Sequence, residues 1–502
     1  LAPNRTSNPL NLFVTFKKLH FSDRAMNTRL EILTFAICFV TSAYFYQGGF
    51  SNNNSRLNYP LALVFRGEIY VDAFADNTID KVAMGDHYYL DKAPGLSYLT
   101  LPLIGLAKLV DPWVNWLDSD KKANFLQYLT TLWTTAIPSA LAAVAFARIL
   151  LILSPTWQPG TAILLSLITF ITTLCFPYST IMFSHQLAAS LLVLGLYFGL
   201  KASQEKSLNL ALAYLSLGFA VFVEYPVAIL AVGIFGMILI RHRKYGWQLR
   251  KLWVVLIPFI FLLMHNYLLF GNPLLIAYEK YSGTQFDAMD SGFYGIHLPT
   301  YATMIELLVK PYRGLFVYSP TLLLGLFGYF LAAKKGSWEL WPIVASIFCF
   351  FSAICGYTFW QGGTCFGPRH LVPLIPFLML GAIYLPIAWF WRWWTVALVG
   401  LSLGINLLGT STTLFVHELA RRPLTHEYMT LLFRGWFAMN PMGFLTHADT
   451  RNFRWSSVSL FETQAFNLGT LMGLRGVASL IPLLLFWLAA LWLLRRTINC
   501  KV

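Results

Sequence analysis

The stretch FLQYLTTLWTTAIPSALAAVAFARILLIL (residues 125–153) decides the fold class, because it stays apolar over more than one bilayer crossing. A helix needs roughly 20 predominantly apolar residues to cross the hydrocarbon core of a membrane. Comparable runs lie at 31–49, 160–176, 185–200, 208–223, 226–240, 252–270, 315–333, 338–357, 371–388, 395–414 and 478–494. The sequence therefore predicts an all-α polytopic membrane protein with about twelve transmembrane helices.

The composition supports this fold class. The chain has 502 residues, of which 57% are hydrophobic and only 12% are charged. Soluble domains carry about 25% charged residues, and disordered chains are poor in hydrophobic residues, so both classes are excluded. The six cysteines show neither zinc-site spacing nor a disulfide framework. The net charge of +14 fits basic residues beside cytoplasmic helix ends, and no nucleic-acid partner is expected.

The distribution of basic residues predicts the topology. The segment 1–30 is basic and the run 31–49 follows it without a cleavage site, which indicates a first spanning helix instead of a removable signal. A further run, 93–110, is ambiguous: it either crosses the membrane or lies at its outer interface. Only the interfacial or re-entrant placement puts the basic loop RHRKYGWQLRK (241–251) on the same, cytoplasmic side as the N-terminal segment. The positive-inside rule therefore favours that placement.

This topology divides the chain into four regions. They are a cytoplasmic N-terminal segment (1–30), a transmembrane core (31–414), an outer segment of unknown role (415–477), and a last transmembrane helix with a cytoplasmic tail (478–502). The core carries long outer loops at 50–124, 271–314 and 358–370. Because the cytoplasmic loops are short, we expect any chemistry at the outer face of a plasma membrane, the inner membrane of a bacterium.

The first outer loop carries the most informative residues. Residues 55–66 have apolar side chains at helical spacing and suit a short helix on the membrane surface. A series of carboxylates follows, at Glu68, Asp72, Asp76, Asp80, Asp86 and Asp91. The stretch GDHYYLDKAPG (85–95) then places His87, Tyr88 and Tyr89 before Asp91 and Lys92. Lysine supplies a point charge for a lipid-linked phosphate and aspartate can take a proton from a hydroxyl; ordinary solvated acidic residues are the alternative.

This motif, after a first helix and a surface helix, resembles the DKPP-type motif of GT-C glycosyltransferases. The likeness is to the bacterial aminoarabinose lipid A transferase and protein mannosyltransferase-like group. Four further segments are similar to one GT-C branch: FPYSTIMFSHQLAASLL (176–192), FVEYPVAIL (222–230), PYRGLFVYSPTLLL (311–324) and WQGGTCFGPRHLVPLIPFL (360–378). The resemblance extends over roughly residues 30–390 and rests on the ordered set of motifs.

The resemblance implies a polyprenyl-phosphate-linked sugar donor, a glycan, lipid or protein acceptor at the outer face, and inversion at the anomeric carbon. Lys92 matches the family lysine that is expected to bind the donor phosphate. The family places an aspartate just after the first helix, whereas this chain has Asn52 to Arg56 there, with no carboxylate. Either the catalytic role has moved to Asp91, Asp86 or Asp72, or the chemistry differs.

Other polar residues border predicted helix ends. A carboxylate inside an apolar run is expensive, so Glu224 is expected to face a partner or a wet cavity; it and His185 fit a site or a structural helix end. Arg313 and Arg369 each stand just outside a helix, where an arginine either binds a phosphate or extends to lipid headgroups. The tight glycine loop before Arg369 and His370 favours a functional role for Arg369. Loop 271–299, with Tyr278 and Asp287 among its aromatic and acidic residues, fits an acceptor surface and a solvated loop equally well.

Two rivals remain at this point. One is a transporter or flippase, against which stand the absence of a detectable repeat and the outer location of most polar residues. The other is a non-catalytic relative that only binds lipid-linked glycan. No nucleotide-hydrolysis, dinucleotide or hydrolase motif has a credible context. A divalent metal is compatible with the carboxylates but no ligand spacing requires one, so no metal ligand is assigned.

Overall fold

A computed structural model describes residues 26–203, 207–242, 247–277, 289, 291–336, 340–445 and 455–499. Most of the basic segment 1–30, part of the loop 241–251 and most of the aromatic and acidic residues of loop 271–299 fall outside these ranges. The chain is mostly helical. The first half contains α1 (Thr28–Ala43), α2 (Ser51–Leu61), α3 (Gly95–Val114), α4 (Asp120–Thr131), α5 (Ile137–Leu153), α6 (Pro159–Thr172), α7 (Cys175–Ser179), α8 (Ser184–Lys201), α9 (Ser207–Val223) and α10 (Ala228–His242).

The second half continues with α11 (Leu256–Phe270), α12 (Tyr301–Leu308), α13 (Leu315–Tyr318), α14 (Leu322–Lys334), α15 (Trp341–Cys355), α16 (Ile375–Leu380), α17 (Trp393–Thr412), α18 (Met429–Phe433), α19 (Leu468–Leu471) and α20 (Ile481–Asn499). Short antiparallel pairs join β1 (Phe45–Tyr46) to β4 (Phe466–Asn467) and β2 (Val82–Met84) to β3 (His87–Tyr89). The β1–β4 pair ties the end of α1 to the segment that precedes α20.

Several helices are long and apolar enough to cross a membrane. Within the described ranges these are Asp120–Leu153, Tyr225–His242, Lys251–Phe270, Trp393–Thr412 and Gly476–Asn499. Shorter apolar helices lie at Pro159–Thr172, Leu208–Val223, Pro320–Lys334, Trp341–Cys355 and Arg369–Tyr384. Each predicted apolar run contains a helix, and large apolar side chains such as Phe259 and Leu485 stay exposed, as lipid-facing residues do. A multi-pass membrane protein follows, while the count of about twelve crossings stays a prediction.

Helix α8 lies at the centre of the packing. It contacts α5, α9 and α10, and glycines allow the neighbouring helices to come close. A side chain at Gly195 would collide with Leu217 of α9, and one at Gly199 would collide with Ile238 of α10. Small residues let helices pack closely in membranes, where no water drives association. The N-terminal end of α8, with Ser184 and His185, is thereby held inside the fold.

The two helices α2 and α3 of the first loop differ in how much of their surface is buried. The predicted surface helix at 55–66 forms as α2 and the helical turn Ala62–Arg66 that follows it. Its first part is not on the protein surface, because every residue from Ser51 to Leu61 is buried, whereas Arg66 is exposed. The reason is that its polar side chains bond to other parts of the chain, as shown below for Ser51 and Ser55. Helix α3, within which most of the ambiguous run 93–110 lies, buries one face around Leu96 and leaves Leu109 exposed on the other.

Candidate active site

Helix α2 brings together two parts of the first loop that are distant in sequence. In its first turn, the hydroxyls of Ser51 and Thr78 lie 2.9 Å apart, and Thr78 Oγ1 donates to the Ser51 carbonyl at 2.8 Å. Four residues later, Ser55 Oγ donates a 2.8 Å hydrogen bond to Asp91 Oδ1. Residues four apart lie on the same helix face. The segment after Thr78 and the segment around Asp91 therefore meet beside α2.

The meeting point is a lysine between two carboxylates, called here the Lys92 cluster (Asp80, Asp91 and Lys92). Lys92 Nζ lies 2.7 Å from Asp91 Oδ2 and 3.4 Å from Asp80 Oδ1. The side chains of Asp91, Asp80 and Lys92 are 0%, 12% and 14% exposed. Charges with so little exposure are stable only when they are paired. The cluster carries two negative charges against one positive charge, which favours a further cation nearby.

The surroundings of Asp80 make its carboxylate more basic than that of an ordinary aspartate. Burial raises the pKa of Asp80, and the negative charge of Asp91 acts in the same direction. The positive charges of Lys92 and Arg369 oppose the rise without cancelling it. Arg369 thus acts on the cluster although it is distant in sequence. A carboxylate with a raised pKa is a stronger base at neutral pH than an ordinary aspartate.

A second polar group is built on the next residue of α2, Arg56. Arg56 Nη2 donates to Ser184 Oγ at 2.8 Å and its Nε donates to Asn52 Oδ1 at 3.2 Å. Ser184 in turn donates to the carboxylate of Glu224, and His185 Nδ1 lies 3.4 Å from the same carboxylate. Glu224 therefore has the polar partners that its place beside an apolar run requires.

Arg369 and His370 lie against this second group. The rings of His370 and His185 are 5.1 Å apart between centroids. The Arg369 guanidinium stands 5.1 Å from the centroid of the Phe183 ring, a cation–π distance. Arg369 Nε is buried and has no hydrogen-bond partner among the described residues. An unpaired buried donor destabilises the fold, so a ligand that accepts from this nitrogen is favoured there.

Tyr357 lies where the two groups meet. Its ring centroid is 5.5 Å from that of His370. Burial raises the pKa of its phenol, which is also acted on by the charges of Arg369, Glu224, Asp91 and Asp80. The guanidinium of Arg369 and the carboxylates of Glu224, Asp91 and Asp80 are therefore all near enough to Tyr357 to act on its phenol.

Arg313 has a different environment from Arg369. It is fully buried and donates to three backbone carbonyls, those of Gln361, Gly363 and Cys365, at 2.9, 2.7 and 2.7 Å. These carbonyls belong to the glycine loop that leads to Arg369. Arg313 thus holds the loop, and its predicted contact with donor phosphate has no support in this geometry.

The remaining first-loop candidates form a separate hairpin. Asp72 Oδ2 lies 2.6 Å from His87 Nδ1, and Asp72 Oδ1 accepts from the Tyr88 N–H at 2.7 Å. Asp86 is exposed in the turn between β2 and β3, and Tyr89 packs under the hairpin beside Phe270. Asp72 and His87 bind each other and are not part of the Lys92 cluster. Their site roles therefore stay predictions.

Sequence reasoning missed several residues of this site. Asp80 was one carboxylate among six, with no local signal that folding would bring it to Lys92. Arg56 was assigned to the end of a surface helix, and Ser55, Ser184 and Tyr357 were not singled out. The polar run Asn52 to Arg56 next to an apolar run was the available signal, because buried polar residues require partners. Tyr278 and Asp287 lie outside the described residues.

Metal ligands do not converge in the part of the chain that the structure describes. No group of three or more histidine, cysteine, aspartate or glutamate side chains there is arranged to hold a metal ion.

Comparisons with known proteins give limited results. No protein-family model matches the sequence, and no curated protein sequence matches it. Among solved structures, the fold is similar to the crystal structure of ArnT from Cupriavidus metallidurans bound to undecaprenyl phosphate, with a TM-score of 0.42 and 13% sequence identity. The similarity covers 71% of this chain and 59% of that chain. At this level of similarity, the function rests on the chain's own residues.

Proposed function

We propose that the protein is a membrane glycosyltransferase of GT-C type. It would move a sugar from a polyprenyl-phosphate-linked donor to an acceptor hydroxyl at the outer face of the membrane. The observation that carries the proposal is the Lys92 cluster, in which a lysine is held 2.7 Å from one carboxylate and 3.4 Å from another, with Arg369 acting on the same group. Cations that can bind a phosphate and carboxylates that can accept a proton thus lie side by side.

Two cations would bind the donor. Lys92 offers a point charge for the phosphate, and the guanidinium of Arg369 offers an N–H at Nε that has no partner among the described residues. A phosphate oxygen satisfies that N–H with a charge-assisted hydrogen bond. The same two cations stabilise the negative charge that develops on the phosphate as it leaves, which lowers the barrier selectively in the transition state.

A carboxylate of the cluster would activate the acceptor. The acceptor hydroxyl loses its proton to the carboxylate and attacks the anomeric carbon of the sugar, and the polyprenyl phosphate departs. Because these carboxylates lie beside Lys92, a phosphate bound to Lys92 would place the donor sugar next to the base, and the attack would be direct. One displacement on a bound donor inverts the anomeric carbon.

The proposal is tested by binding of undecaprenyl phosphate to the purified protein in nanodiscs. Lys92→Ala and Arg369→Ala are expected to weaken binding by about tenfold or more each, since each removes a charge-assisted contact with the phosphate. The matched control is Lys108→Ala, because Lys108 is an exposed lysine that stands 4.8 Å over the Phe65 ring. Wild-type affinity in the Lys92→Ala protein would contradict the proposal.

A further inference from the structure

The two carboxylates of the Lys92 cluster have different surroundings. Both oxygens of Asp91 have partners: Oδ1 accepts from Ser55 at 2.8 Å, and Oδ2 lies 2.7 Å from Lys92 Nζ. Its side chain is 0% exposed. Each oxygen could accept a further hydrogen bond, but a carboxylate with no exposure is out of reach of an acceptor hydroxyl. Asp91 is thus arranged to hold Lys92.

Asp80 has the opposite arrangement. Its Oδ1 makes the longer contact with Lys92, at 3.4 Å, and its Oδ2 accepts no hydrogen bond from any residue that the structure describes. Its side chain keeps 12% exposure. One oxygen of Asp80 is therefore available to an incoming hydroxyl while the other stays beside the lysine.

The backbone around Asp80 is held firmly, as a catalytic group requires. The Asp80 N–H donates to Thr78 Oγ1 at 3.0 Å, and the Ile79 N–H donates to Ser51 Oγ at 2.9 Å. Thr78 Oγ1 itself donates to the Ser51 carbonyl at 2.8 Å. These bonds fix residues 78–80 against the first turn of α2, so the Asp80 carboxylate has a defined position relative to Asp91.

We infer that Asp80 is the general base of the transfer reaction and that Asp91 is a positioning residue that orients Lys92. This inference rests on the proposed function and names the base within it. Asp80 was not among the aspartates that the sequence favours for this role. Its raised pKa, caused first by burial, agrees with the assignment, because base strength increases with pKa.

The sugar transfer is one displacement at the anomeric carbon. The acceptor O–H bond breaks, and its proton passes to Oδ2 of Asp80. The electron pair of the acceptor oxygen forms the new bond to the anomeric carbon. The bond from that carbon to the phosphate oxygen breaks, and its electron pair leaves with the polyprenyl phosphate beside Lys92. No oxidant, reductant or further reactant is required.

The experiment compares Asp80→Asn, Asp80→Glu and Asp91→Asn with the wild-type protein in nanodiscs. The activity readout is release of polyprenyl phosphate from a panel of undecaprenyl-phosphate hexoses and pentoses, with bacterial membrane lipid extract as acceptor. The binding readout is the Kd of undecaprenyl phosphate. Thermal unfolding of each variant in the same nanodiscs reports folding independently of activity.

Asp80→Asn is expected to lower turnover at saturating donor by about 10²–10⁴-fold, the usual contribution of a general base, with a Kd that is unchanged or tighter because a negative charge near the phosphate is removed. Asp80→Glu should restore part of the turnover together with its dependence on pH. Asp91→Asn should weaken donor binding, since Lys92 loses its nearest anion.

Near wild-type turnover in Asp80→Asn would overturn the assignment of Asp80 as base. Loss of donor binding in Asp80→Asn as large as in Asp91→Asn would also overturn it, because both aspartates would then only position Lys92. A wild-type protein that releases no polyprenyl phosphate from any donor overturns the proposed function itself, and the assignment with it.

Discussion

Ser55 and Asp91 are joined by a 2.8 Å hydrogen bond from Ser55 Oγ to Asp91 Oδ1, which fastens the middle of α2 to the residue before Lys92. The bond is completely buried, and its acceptor is a charged carboxylate. It helps to explain why α2, whose first six residues are asparagine, serine and arginine, lies inside the fold. The helix supplies hydrogen bonds to the segments around Asp80 and Asp91.

Ser55→Ala is expected to destabilise the protein by roughly 1–3 kcal/mol, because it leaves a buried carboxylate oxygen without its donor. Thermal unfolding in nanodiscs measures the change. Ser190→Ala is the control: Ser190 is also buried, but its hydroxyl donates to the Gln186 carbonyl of its own helix at 2.8 Å, and that carbonyl keeps its backbone partner. Equal losses in the two variants would contradict the role given to Ser55.

Asn53 and Asn54 are adjacent and both fully buried, yet their amides differ. Asn54 Nδ2 donates to the Asn77 carbonyl at 2.9 Å, and its Oδ1 accepts from Gln127 at 3.2 Å. The amide of Asn53 has no hydrogen-bond partner among the described residues.

We expect Asn54→Ala to lower the free energy of unfolding by about 1–3 kcal/mol, whereas Asn53→Ala leaves it unchanged or raises it, since only Asn54 loses hydrogen bonds. Thermal unfolding of the two variants provides the comparison. The expectation fails if Asn53→Ala is as destabilising as Asn54→Ala.

Arg313→Lys is expected to destabilise the protein by roughly 2–4 kcal/mol, because an ammonium cannot reproduce the three-way donation of the guanidinium to the glycine loop. Donor binding should fall as well, since that loop carries Arg369. The matched control is Arg434→Lys: Arg434 is exposed and stands 5.1 Å from the Trp436 ring. An unchanged unfolding temperature in Arg313→Lys would show that the three hydrogen bonds from Arg313 to the glycine loop, the Arg313 clamp, contribute little to stability.

The stability of the hairpin in the first loop is expected to fall at acid pH, because the Asp72 carboxylate becomes protonated there. Burial alone would raise the pKa of the Asp72 carboxyl, but hydrogen bonds from His87 and from the Tyr88 N–H outweigh it and lower the pKa. A lowered folded-state pKa gives stability that is fully present above the unfolded-state value and is lost as the pH falls through the folded-state value.

The wild-type protein should therefore lose up to about 0.5 kcal/mol below pH 4 through this pair, a small amount because the pair is exposed to solvent. Asp72→Asn should not show this part of the loss. Thermal unfolding of both proteins between pH 3 and 7 gives the comparison. An identical loss of stability below pH 4 in the two proteins would rule out the contribution of Asp72.

Local patterns predicted the helices and part of the site, and non-local contacts determined the rest. Apolar runs located the helices because a membrane span depends on composition over consecutive residues. Asp91 and Lys92 were visible as a pair because they are adjacent in the sequence. Asp80 was not distinguishable from other loop carboxylates, since its position depends on the contact between Thr78 and Ser51.

Burial of polar residues was the feature that local patterns misjudged. The apolar spacing of residues 55–66 suggested a surface helix, but polar side chains of α2 have buried partners, Thr78, Asn77 and Gln127, that come from elsewhere in the chain. A guanidinium binds three carbonyls as readily as a phosphate, so the sequence did not distinguish the clamp formed by Arg313 from the phosphate site proposed for Arg369.

The most direct test of the central claim is a cryo-electron microscopy structure of the protein in nanodiscs with undecaprenyl phosphate added. The proposed function predicts phosphate density in contact with Lys92 Nζ and Arg369 Nε, with the Asp80 carboxylate beside it. Phosphate density elsewhere, with the surroundings of Lys92 empty, would contradict the donor site and favour a transporter or flippase.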